Sequence, residues 1–95
     1  MDTNSLFEKA DVQRLLDAFA GLESAAEARL FMLDLCTPGE IEDLAQRLDV
    51  ARRLSEGQSY VLVQQETGAS STTVSRVSKC LNGPVGGYRQ ILSKG

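Results

Sequence analysis

The stretch Thr37-Pro38-Gly39-Glu40 constrains this chain more than any other. Thr37 can accept from the backbone N–H groups of a following first turn, and Glu40, at the third helical position, can reach back to it. Pro38 suits the first helical position, where its missing N–H costs nothing. Gly57 supplies a C-terminal glycine, so the spacing predicts a helix over 38–56. Its buried face is expected to carry Ile41, Leu44, Leu48, Ala51 and Leu54.

Upstream, Leu6, Val12, Leu15, Leu16, Phe19 and Leu22 recur at helical spacing and predict one amphipathic helix over 5–22, with Gly21 a weak point near its end. A second helix is expected over 24–35, with Ser24 as cap and Glu27 three residues on. Its Phe31-Met32-Leu33 segment is apolar on most sides and should be buried. A chain of 95 residues has little interior to spare for it, which points to a homodimer.

Downstream, Ser59-Tyr60-Val61-Leu62-Val63 is ambiguous, and its β-branched residues alone suit a strand. The residues after it decide for a helix. Thr67-Gly68-Ala69 reads as a turn, and Ser70 or Ser71 can cap a helix whose Val74, Val77 and Leu81 share a face. A short helix, a glycine turn and a second helix form a helix-turn-helix unit over 58–81. Asn82-Gly83-Pro84 breaks the last helix, and the tail, 82–95, allows a short terminal helix over Val85 to Leu92. The reading is an all-α single domain, 1–95, with a helical dimerisation part over 1–57.

Composition narrows the function. Apolar and charged contents of 42% and 24% are those of a globular chain, which excludes gross disorder. No apolar run approaches ~20 residues, as a membrane span requires. The start, Met1-Asp2-Thr3-Asn4, lacks the features of a secretory signal, so a cytoplasmic protein is expected. With no histidine and only Cys36 and Cys80, neither a metal site nor a cofactor is expected, and both cysteines read as buried small apolar residues. Missing histidine, nucleophile elbow and phosphate-binding glycine loop argue against an enzyme.

The net charge of −3 hides an asymmetry. Residues 1–57 carry six Lys and Arg against twelve Asp and Glu, whereas residues 58–95 carry Arg76, Lys79, Arg89 and Lys94 against Glu66 alone. An acidic body can thus carry a basic surface, and the local patch governs phosphate contact. In a helix-turn-helix the second helix enters the major groove of DNA. Its outward positions here are Ser71, Thr72, Ser75, Arg76 and Lys79, hydroxyls and cations suited to base edges and phosphates. Val63, Val74 and Val77 would anchor the two helices. Gln64 stands four residues before the turn glycine, where a small residue is usual, and can instead bring an amide near DNA. The alternative reading of the same unit is a protein-interaction module.

With Thr37-Pro38, Glu40, Arg47, Gly57, Gly68-Ala69, Thr73, Ser75-Arg76 and Leu81 in this order, the chain resembles the Trp repressor family, and within it the YerC/YecD-type Trp repressor-related proteins. The resemblance covers residues 28–92. It implies an intertwined helical homodimer that binds double-stranded operator DNA, often as a repressor controlling amino-acid biosynthesis. It adds Val61 and Gln64 to the DNA-facing positions. It matches Arg47 and Arg76 to two arginines that hold a bound tryptophan, and Thr37 and Thr73 to threonines near that ligand. Val77 and Cys80 depart from the family's glycine and serine at the pocket, so L-tryptophan is not expected to be the effector of any such site.

Overall fold

A computed structural model describes residues 3–94, which form seven helices and no strand. The chain divides into two compact units, one ending at Thr37 and one starting at Pro38.

The N-terminal unit contains α1 (Thr3–Glu8), α2 (Ala10–Ala20) and α3 (Ala25–Leu35). The single helix expected over 5–22 is therefore two. Lys9 adopts an extended conformation as the N-cap of α2, and Asp11 then places a carboxylate in the new first turn, where the helix dipole favours it. The apolar period runs through the break, which is why periodicity does not reveal it. Gly21, the expected weak point, stands at the C-cap of α2. Ser24 caps α3 by accepting from the Glu27 N–H at 3.1 Å.

Phe19 of α2 meets Phe31 of α3 edge to face, with ring centroids 5.5 Å apart. No residue of α1, α2 or α3 is buried. Phe31 and Met32 are half-buried, but Leu30 is 67% and Leu33 56% exposed, so the burial expected for this segment is not achieved within one chain.

The second unit contains α4 (Pro38–Ser55), α5 (Tyr60–Thr67), α6 (Ser71–Leu81) and α7 (Gly87–Ser93). α4 stops at a Schellman motif: Gly57 sits at φ +91, its N–H bonds Leu54 O, and the Gln58 N–H bonds Arg53 O. Ser59 caps α5 by accepting from the Leu62 N–H, so the β-branched segment is helical. Ser70, rather than Ser71, caps α6, accepting from the Thr73 N–H at 3.1 Å. Arg89 of α7 donates to the carbonyls of Leu81 and Gly83, satisfying groups that the end of α6 leaves open.

The core is small and mostly valine. Val50 and Ala51 of α4, Val63 of α5, Ala69 of the turn, and Val74 and Val77 of α6 are buried together, with Leu54, Tyr88 and Leu92 packed around them. This corrects the expected face of α4. Leu44 and Leu48 are exposed and Ile41 is half-buried, whereas Val50, absent from the expected face, is fully buried. At ~100° per residue, Val50 lies roughly opposite Ile41 and Leu48. α4 therefore carries two apolar stripes, and only one is covered within the chain.

Replacing Val63 by alanine should lower stability by ~2 kcal/mol through lost burial and the cavity left behind. Val61→Ala, at a neighbouring position that is 62% exposed, should stay within ~0.5 kcal/mol. Urea denaturation of both variants measures the contrast, and equal losses would contradict this core.

Candidate nucleic-acid interface

Gly68 makes the turn between α5 and α6. It adopts the left-handed conformation, φ +75, that glycine reaches without steric cost, and its N–H bonds Gln64 O at 2.9 Å. Thr67 seals the same corner: its hydroxyl donates to Val63 O and accepts from the Ala69 N–H. Gln46 of α4 donates to the Thr67 carbonyl from outside the turn. The helix pair is thus held at its bend by three elements and at its centre by the valines.

That arrangement turns one side of α6 outward. Ser71, Thr72, Ser75, Arg76 and Lys79 are all exposed and line one concave surface, joined by Tyr60 from the start of α5. Val61 is exposed and Gln64 half-buried on α5, but neither lines this concavity. Arg76 and Lys79 form no ion pair among the described residues.

The one acid of this half, Glu66, is neutralised by an ion pair with Arg53 of α4. Arg53 also binds Asp49, which Arg52 holds at 2.7 Å. The hydrogen bond from Arg52 keeps the Asp49 carboxyl below its ordinary value, outweighing the opposing effect of burial, and Arg53 adds in the same direction. Asp49 and Glu66 are therefore engaged with arginines of α4, while Asp43 lines a cleft with Thr73 and Arg76.

A second cleft lies behind Arg76. Arg47, Thr73 and Arg76 come together there with Val77, Cys80 and Tyr88 around a space of about 100 Å³. The first three are the positions expected from the sequence for an effector. The fourth, Thr37, is exposed and ends the N-terminal unit. Val77 is shared between this cleft and the core, so its side chain fills space from the protein side. Cys80 is exposed and Cys36 half-buried, both as free thiols, which corrects the expectation that both are buried. Cys80 lies beside Val77 on α6 and lines this cleft instead of joining the core. No group of metal-ligating side chains occurs among the described residues, and no helix among them is long and apolar enough to cross a membrane.

Sequence reasoning missed two aromatic residues. Tyr60 fell in the stretch that was ambiguous between strand and helix, and Tyr88 in the tail. The cue available for Tyr60 was its place directly after the capping Ser59, at the end of α5 nearest the reading positions.

The family model described as Trp repressor protein matches residues 10–95. The chain belongs to the Trp repressor family. This is a family of helix-turn-helix DNA-binding regulators, not of enzymes. An uncharacterized protein of Bacillus subtilis strain 168, YerC, is 43% identical over 84 residues, covering 88% of this chain and 81% of that protein. A Staphylococcus aureus crystal structure, described as a candidate Trp repressor, superposes with a TM-score of 0.90 at 37% identity and covers 99% of this chain and 94% of that one. A TrpR-like protein from Eubacterium eligens superposes with a TM-score of 0.89 at 36% identity, covering 95% and 93% of the two chains. The all-helical architecture of this family member agrees with both neighbours.

Proposed function

We propose that the protein is a homodimeric, sequence-specific transcriptional repressor of the cytoplasm, with α6 as its reading helix and genes of amino-acid biosynthesis as its class of target. The observation that carries the DNA-reading role is the single exposed surface formed by Ser71, Thr72, Ser75, Arg76 and Lys79, with Glu66 removed from the local balance by Arg53. Hydroxyls approach base edges and phosphates closely, while the two cations address guanine or the backbone. Val61 and Gln64 on α5 would touch the same duplex at its flank. The repressor role and the target class rest on family membership alone.

Loss of one phosphate-contacting cation lowers the salt slope of binding by about one unit, and loss of a base-contacting arginine costs ~1–3 kcal/mol and relaxes specificity. Arg76→Ala and Lys79→Ala should therefore weaken binding to an operator, whereas Asp17→Asn should not. Electrophoretic mobility shifts across a salt series measure this. Parent-like binding by both α6 variants would exclude α6 as the reader and favour a protein-interaction module, which a chain with few basic residues permits.

Support for the homodimer comes from uncovered apolar surface. Leu6, Phe7, Leu15, Leu16, Leu30 and Leu33 are exposed in the N-terminal unit. In the second unit an apolar groove of about 630 Å³ runs along Leu48, Cys80, Pro84, Val85, Tyr88 and Ile91, with Val85 91% exposed. Surfaces of this kind mark association sites. Light scattering at micromolar concentration should give twice the chain mass, and a stable, folded monomer would refute the dimer.

An effector would sit at Arg47, Thr73 and Arg76. The space of about 100 Å³ there is well below the ~300 Å³ at which pockets for drug-sized ligands begin. Val77 presents a stiff, branched side chain where the family has glycine, and interiors accommodate extra volume poorly. Cys80 is also a weaker hydrogen-bonding partner for an ammonium group than serine. Two arginines remain suited to a smaller anion. Titration calorimetry should therefore detect no L-tryptophan binding tighter than ~100 μM to the parent, and should detect a gain with Val77→Gly. Tight binding by the parent would overturn the steric argument.

A further inference from the structure

Tyr60 is the one member of the concave surface that belongs to α5, and its phenol has an unusual tie. The hydroxyl is hydrogen-bonded across the helix pair to Ser78 Oγ on α6. Ser78 is itself held, since the Asn82 side-chain amide donates to its carbonyl at 3.0 Å and reaches its hydroxyl at 3.4 Å. The ring is 49% exposed and forms the wall between the concave surface and a second cleft that contains Ser78, Asn82 and Arg89.

We propose that Tyr60 is part of the DNA-reading surface, a ring pinned by Ser78 that makes an apolar contact with the duplex independent of salt. The inference rests on the DNA-reading function proposed above. The phenol hydroxyl is engaged with the Ser78 hydroxyl, and either oxygen of such a pair can supply the hydrogen. A phosphate would have to displace that tether to bind the phenol. What it presents outward is the ring, suited to a deoxyribose face or a thymine methyl group. Tyrosine has few rotatable bonds, and fixing the far end of its side chain removes most of the remaining freedom before DNA arrives. Arg76 and Lys79 supply the charge on the same surface, leaving Tyr60 to contribute shape.

The test uses the full chain and a labelled duplex selected by the parent from a randomised library, titrated over a range of potassium chloride, with melting curves for every variant. Tyr60→Ala should bind roughly tenfold more weakly, the size of one lost base-pair contact, with the salt slope of the parent. Lys79→Ala should instead lose about one unit of slope. Ser78→Ala keeps the ring but frees it, and should fall between the parent and Tyr60→Ala.

A folded Tyr60→Ala chain with parental affinity overturns the proposal, as does a loss of slope equal to that of Lys79→Ala. Should Tyr60→Ala not fold, Ser78→Ala decides alone, and parental affinity there overturns it. If Arg76→Ala and Lys79→Ala lose binding while Tyr60→Ala does not, only this inference falls. If none of the three loses binding, the DNA-reading function falls with it.

Discussion

Packing of Val50 and Ala51 against Val63, Val74 and Val77 fixes how α5 and α6 meet, and each residue of the concave surface takes its position from that contact. Valine is well suited to this task. Its branched Cβ leaves one strongly preferred rotamer in a helix, so the core has little freedom to repack. Gly68 supplies the conformation that the bend requires, and Thr67 and Gln46 satisfy the polar groups around it. α4 is thus part of the helix-turn-helix core, though its sequence signals are those of an independent helix.

Electrostatics depends on the same packing. Bringing α4 against α5 sets Arg53 within reach of both Asp49 and Glu66. Such partly exposed pairs contribute little to stability. Their effect here is on the local field, because they offset Glu66, the one acid among residues 58–95. An overall charge of −3 is compatible with DNA recognition for this reason.

Much of this was legible in the residues. The caps at Ser24 and Ser70, the glycines at 57 and 68, and the valine anchors are local or periodic signals, and the sequence carries them openly. The family likeness also placed Arg47, Thr73 and Arg76 around one cleft. Other features depend on neighbours that no local pattern encodes. The face of α4 was misjudged because its two apolar stripes are equally periodic, and only the position of α5 and α6 selects the one with Val50. The break at Lys9 leaves the period of apolar residues intact. Cys80 shares the chemistry of buried residues but is left exposed at the edge of two clefts, and Tyr60 joins the concave surface through the packing of α5 against α6.

The second stripe of α4 has a consequence for the life of the chain. Ile41, Leu44 and Leu48 share a helix with Val50 and Ala51, so the surface left uncovered in one chain is as rigid and permanent as the core itself. A copy without a partner keeps this greasy face on view to chaperones and proteases for as long as it stays alone. For the homodimer proposed above, unpaired surplus chains would be exposed to degradation, so pairing as well as synthesis would set the level of the protein.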